Sequence, residues 1–263
     1  MKGAICYYSG FGNTKLACRY IAGNIDVPFD LVDVVKEKEI NLELYDVVGF
    51  ATFTDFFGPP HLFQAFIEGL RQQKNKLAFV FNTYGAISGK TLRVLQRSVA
   101  AKGFEVIAGH SLHTPESYPP MIARGMGAEE APDEKGMSEF DAFISELGQL
   151  LERAKAGEKI KRQRVRIGFW NSIWPTVSRT RARKDMGEKY VDESLCQECG
   201  ICEKQCPYQA IHLGPKPVFD MSKCYGCWRC YNLCPERAIY TEKFRGEPYY
   251  PKPNDQLKRK LRV

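Results

Sequence analysis

The chain has no run of about 18 apolar residues, so no helix is expected to span a membrane. Its opening, "MKGAICYYSGFGNT", lacks the sustained apolar stretch of a secretory signal. Together these place the protein in the cytoplasm. Histidine is scarce, and His61, His110, His113 and His212 show no convergent partner; each reads as a capped or packed side chain. No Walker A ending follows the first glycines, and no full G-x-G-x-x-G fingerprint is present, since Lys15 stands where a glycine is needed. Before residue 196 cysteine is almost absent: only Cys6, in an apolar strand pattern, and Cys18, in a helical one, both expected as small buried hydrophobes.

The other eight cysteines, of ten in 263 residues, crowd between Cys196 and Cys234. "CQECGICEKQCP" from Cys196 and "CYGCWRCYNLCP" from Cys224 have one spacing, and the match extends beyond cysteine at an offset of 28. Asp192 and Ser194 pair with Asp220 and Ser222, and Ala210 and Ile211 pair with Ala238 and Ile239. A small unit has been written twice. Structural zinc favours separated cysteine pairs, and disulfides do not suit a reducing compartment.

C-x2-C-x2-C-x3-C-P, twice, resembles the bacterial two-cluster ferredoxins over 190–242. That resemblance implies two [4Fe–4S] clusters with crossed ligation: Cys196, Cys199 and Cys202 with Cys234, and Cys224, Cys227 and Cys230 with Cys206. Gly200 and Gly226 suit the tight turns, and Pro207 and Pro235 end each run. Trp228 and Arg229 depart from the small residues common there and are expected to alter solvent access or charge at the second cluster.

Residues 1–155 alternate apolar runs (3–8, 29–34, 46–52, 77–83, 104–111) with amphipathic segments (14–24, 61–73, 89–102, 138–157). Five such runs predict a doubly wound parallel α/β sheet. The segment 35–45 is poorly helical. After the first run, "SGFGNT" offers small residues before a helix N-terminus, the setting of a phosphate site.

That loop, with "ATFTDFFGPP" (51–60) and "NTYGAISGKTL" (82–92), resembles the cofactor loops of flavodoxins. The resemblance implies FMN, with Ser9, Gly10, Phe11, Gly12, Asn13 and Thr14 on the phosphate. Thr52, Phe53, Thr54, Phe57 and Gly58 would line one side of the ring, and Thr83, Tyr84, Gly85, Ser88 and Gly89 the other. Tyr84 or a Phe would stack on it. Tyr118, in the long loop 111–136, is expected to cover it.

Between the two parts, 156–189 is a basic aromatic connector. Residues 155–189 hold eleven basic against three acidic residues, a local excess larger than the chain's net charge of +7. Trp170 and Trp174 are expected to pack between the domains. The tail, 243–263, is Pro-rich and basic and is expected to be extended or disordered. As a whole the chain resembles the EFR-type flavodoxin–ferredoxin fusion family. The implied function is electron transfer between the clusters and FMN and on to a redox partner with an acidic contact surface; an FMN-dependent reductase of a small molecule is the alternative. No nucleic acid is expected. Weak peripheral membrane contact through 160–184 fits the charge pattern, and a homodimer is the expectation where flavin and clusters lie far apart within one chain.

Overall fold

The computed structural model describes residues 1–37, 39–173 and 179–262, with the backbone alone at 179–181. The chain divides into two compact units. The first takes Met1–Pro115, the chain from Ala128 into the connector, and the end of the chain from Asn254. The second takes Glu116–Gly127 and the chain from the connector to Pro253.

The first unit is built on five parallel strands: β1 (Gly3–Tyr7), β2 (Phe29–Asp33), β3 (Val47–Phe53), β4 (Lys76–Tyr84) and β5 (Phe104–His113). Their order is β2-β1-β3-β4-β5. This is the flavodoxin-like order, in which chain direction switches between β1 and β3. Every residue of β1 is buried, because helices cover both faces and both faces need apolar side chains. On one face α1 (Asn13–Gly23) and the long helix Glu134–Lys155 pack through Leu16, Ile21, Phe140, Leu147 and Leu151. On the other α2 (His61–Gly69) and α3 (Thr91–Ala101) bury Phe63, Ile67, Leu95 and Val99.

The long helix starts four residues before the predicted 138, because the Asp133 side chain accepts a hydrogen bond from Gly136 N (2.7 Å) and caps it. The β2–β3 crossover carries no α-helix among the described residues; a single 3-10 turn at Leu42–Leu44 stands there. Cys6 and Cys18 are both 0% exposed, as expected of small buried hydrophobes. His110 is stacked on Phe81, Phe140 and Phe143, and burial pulls its pKa down to about 4, so it is a packed neutral ring.

The tail differs from expectation. Asp255–Lys260 is helical: Asn254 accepts from Leu257 N (2.8 Å), an acid opens the helix and three bases close it. Leu257 and Leu261, four apart on one face, are 0% and 1% exposed within the core shared with α1 and the long helix. Leu257→Ala is expected to cost the first unit about 2–5 kcal/mol, read as a lower denaturant midpoint at unchanged iron content. A midpoint equal to wild type would show that this helix is not part of the core.

In the second unit, β6 (Lys189–Val191) pairs antiparallel with β9 (Ile239–Thr241), and β7 (Ile211–Leu213) with β8 (Pro217–Phe219). These two hairpin-like pairs are the same object 28 residues apart. Left-handed backbone recurs at that offset: Glu198 and Gly226, Gly200 and Trp228, Gln209 and Arg237.

Among the described residues no helix is long and apolar enough to cross a membrane. Phe169 and Trp170 of the connector are 72% and 74% exposed. Trp174 lies outside the described residues.

Candidate cluster and cofactor sites

The duplicated unit brings its cysteines together through repeated local bonds. Cys196 N and Cys224 N donate to the carbonyls of Asp192 and Asp220 (both 3.0 Å), closing one turn before each run. Ala210 N and Ala238 N donate to Cys206 Sγ and Cys234 Sγ (both 3.3 Å), fixing the fourth cysteine of each run.

The resulting grouping is crossed. One cavity is lined by Cys196, Cys199, Cys202 and Cys234, so the last cysteine of the second run joins the first three of the first. Cys206 packs against the cluster of Cys224, Trp228 and Tyr231 and against that of Cys230, which Cys202 and Cys234 also meet. No three His, Cys, Asp or Glu side chains among the described residues are placed to hold a single metal ion. The first four cysteines instead surround a space, as a multi-atom cluster requires. The donor set fits [4Fe–4S] ligation. Burial raises the thiols of Cys227 and Cys230 to about 12 and about 11, and that of Cys202 upward. Loading the sites must therefore expel protons from them.

The two groups are not equivalent. Cys199 is exposed and Cys196 and Cys202 are half-buried, whereas Cys224 and Cys230 are 5% and 6% exposed. Trp228 packs with Cys224, and Ile211 and Ile239 with Cys230. Trp228 occupies a left-handed position (φ 60°) that in the first run belongs to Gly200. It is 2% exposed, edge-on to Tyr118, Tyr231 and Phe244 at 6.0, 5.3 and 5.5 Å. A bulky residue at positive φ is strained, and burial of the indole among three rings offsets that strain.

Tyr118 thus sits in the second unit. The Glu116 carboxylate accepts from Ser117 N and Tyr118 N (2.8 and 3.0 Å), and the Asn232 side chain donates to Ser117 O (2.9 Å).

In the first unit, three loops gather at the carboxyl ends of β1, β3 and β4, which lie side by side in the sheet. In the first loop Ser9 Oγ accepts from Gly12 N (3.1 Å) and Lys15 N (3.3 Å), and Gly12 is left-handed (φ 111°). No acidic side chain stands in the first turn of α1 and its N-cap residue, Gly12, has no side chain; Ser9 takes the Lys15 N–H, and the positive helix end remains a place for an anion. Asn13 donates to Pro115 O (3.0 Å), so it braces the β5 loop. Thr14 and Thr83 share a buried hydroxyl bond (2.8 Å), and Thr52 is 0% exposed with its hydroxyl unbonded among the described residues. These three threonine side chains lie in the floor beneath the loops rather than on their surface.

The second loop is a tight turn. Asp55 and Gly58 exchange backbone bonds (2.8 and 3.2 Å), with Phe56 and Phe57 both at positive φ (49° and 71°). Two consecutive phenylalanines in left-handed backbone store strain of the kind that gathers at functional sites. Phe53 packs on Tyr8 (5.1 Å) and Tyr84 stacks on His113 (5.1 Å). A buried polar net ties this loop to the third: Asn82 donates to Thr54 Oγ1 (3.0 Å) and Ser88 Oγ (3.3 Å), Ser111 donates to Asn82 (2.6 Å), and Thr54 meets Thr91 (3.0 Å). Ser88 therefore faces the net. Asn82, Thr91 and Ser111 were missed by sequence reasoning, although an Asn ending the apolar run "LAFVFN" was a visible interruption.

Residues 189–212 and 217–240 each match the family model of the 4Fe-4S binding domain. No curated protein matches the chain in sequence. Among solved structures it is similar to a flavodoxin from the domain Archaea (15% identity, 58% of this chain and 99% of that one, TM-score 0.43). It is likewise similar to flavodoxin 1 of Bacillus cereus (18%, 57% and 98%, TM-score 0.43). A third is the rubredoxin oxygen:oxidoreductase of Desulfovibrio gigas (18%, 60% of this chain and 37% of that one, TM-score 0.44). The sheet order and the doubled motif define the class: a flavodoxin-like α/β unit joined to a ferredoxin-type unit with two 4Fe–4S binding motifs.

Proposed function

We propose that this chain is a cytoplasmic electron-transfer iron–sulfur flavoprotein, which holds FMN on the first unit and passes electrons between it, the two clusters and a redox partner. FMN exchanges one or two electrons and each cluster one, so the redox chemistry belongs to the cofactors and the chain supplies position and field. The observation that carries this reading is the pairing, in one chain, of a crossed set of cluster cysteines with three loops at the carboxyl edge of a 2-1-3-4-5 sheet.

The first turn of α1, behind Gly10 and Gly12, takes the phosphate through backbone N–H groups. Phe53, Thr54, Phe57 and Gly58 of the second loop and Tyr84, Gly85 and Gly89 of the third, joined where Phe57 meets Gly89, would border the ring. Cys196, Cys199, Cys202 and Cys234 hold one cluster, and Cys224, Cys227, Cys230 and Cys206 the other. The basic connector, with Phe169 and Trp170 exposed, is the surface for a partner that is acidic at its contact.

Protein purified without oxygen is expected to be brown, to contain about eight irons per chain for two cubane clusters, and to release FMN on denaturation. Zinc in place of iron, or a denatured supernatant without flavin, would overturn the reading.

A further inference from the structure

The two halves of the ferredoxin-type unit differ at one buried position that the cysteine pattern does not touch. β6 and β8 are equivalent strands: each opens on a buried residue, followed by an exposed and then a half-buried one. The buried residue of β8 is Pro217, which lines the cavity of Cys196, Cys199, Cys202 and Cys234. Its counterpart 28 positions earlier, opening β6, is Lys189.

Lys189 is 8% exposed, a rare state for a lysine without a partner. Its Nζ lies 2.7 Å from Cys224 Sγ and 5.8 Å from the centre of the Phe219 ring. The ammonium therefore points at the second cysteine group, away from water, at the site that Trp228 seals. No equivalent cation enters the first group's cavity, whose lining contains no lysine or arginine. Lys216, the nearest by sequence, spends its Nζ on Cys196 O (2.8 Å) and on Glu198 (3.0 Å) at the surface.

We infer that Lys189 is a positioning charge that makes the cluster held by Cys224, Cys227, Cys230 and Cys206 the easier of the two to reduce. Each added electron makes a cluster more negative. Burial alone opposes that change, since it removes solvent from the charge. A fixed cation in contact with a ligand sulfur favours it, and in a water-poor setting acts at close to full strength. At 2.7 Å the contact outweighs the burial. The outer cluster, with Cys199 exposed, is then the lower-potential port and the inner one the sink. One electron leaves an external one-electron donor protein, and the inner site is where it comes to rest.

This inference rests on the assignment of two clusters, and iron analysis separates the two: wild type without about eight irons per chain refutes the assignment, not the role of Lys189. The experiment is an anaerobic redox titration of the full chain, followed by electron paramagnetic resonance. Wild type is expected to show two midpoints. Lys189→Met, with iron retained, should lower the higher one so that the equilibrium occupancy of the inner over the outer site falls at least tenfold, or 59 mV for one electron. Lys189→Arg should restore it. An iron-replete Lys189→Met protein with unmoved midpoints overturns the proposal, as does an equal shift in Lys189→Arg. Should Lys189→Met fail to load iron, the mirror change Pro217→Lys decides: it should raise the lower midpoint by the same factor, and an unchanged lower midpoint overturns the proposal.

Discussion

Cys206→Ala is expected to remove the cluster written at Cys224 and to leave the one written at Cys196 intact. Iron should fall from about eight to about four per chain. The cavity lining carries this direction, since by packing alone Cys206 also meets Cys202, Cys230 and Cys234. Cys234, from the second run, lines the cavity with Cys196, Cys199 and Cys202, while Cys206, from the first, packs with Cys224 beneath Trp228. A cubane with three thiolates and an open corner exposes one iron to solvent, so loss or degradation of that cluster follows. The fold should tolerate the change, since among the described residues the removed sulfur accepts one backbone bond, from Ala210 N at 3.3 Å. Which cluster survives is read by a second substitution. In Cys206→Ala protein the remaining midpoint should ignore Lys189→Met, because the cation faces the lost site. A remaining midpoint that moves with Lys189→Met would mean that ligation is not crossed.

The crossed pair was legible because cluster ligation constrains spacing so tightly that few other patterns satisfy it. The sheet was legible for a different reason: strands buried on both faces need apolar runs, and β1, β3 and β4 carry them at 3–7, 47–51 and 77–81. Other features are not carried by local pattern. Lys189 closes the basic connector 156–189, and a charge count cannot distinguish a buried ammonium from a solvated one; only the offset of 28 to Pro217 hinted at it. The tail looked extended because 248–253 holds three prolines, yet the eight residues after them have a cap, a dipole-matched charge order and two leucines four apart. The side chains of Thr52 and Thr83 fall in the floor because period-2 alternation was not separable from a loop start at the end of each strand, and Thr14 joins them from α1 through its bond to Thr83. Tyr118 follows β5 in sequence but belongs to the second unit, held there by contacts to Trp228 and Asn232 more than a hundred residues away.

Gly89→Ala is expected to weaken FMN binding at least tenfold while leaving the iron content at about eight per chain, an effect of at least about 1.4 kcal/mol. Gly89 has φ 57°, and a Cβ built there would stand 2.5 Å from Phe57 Cα and 2.6 Å from Phe57 O. Those are backbone atoms of a turn already strained at Phe56 and Phe57, and Lys90 N donates to that same Phe57 carbonyl (2.8 Å). Relief of the contact requires the β3 and β4 loops to part by roughly 1 Å, a displacement on the scale that costs bound geometries dearly. The left-handed backbone adds about 1 kcal/mol of its own. Gly157→Ala separates the two causes: Gly157 also has positive φ (87°), but a Cβ there meets nothing within 4 Å. It carries the backbone cost without the collision and lies outside the three loops. Titration of flavin-free protein with FMN, read by quenching of flavin fluorescence, should therefore give wild-type affinity for Gly157→Ala and the loss for Gly89→Ala. Equal affinities in both would mean that the close contact between the Phe57 turn and Gly89 does not shape the flavin site.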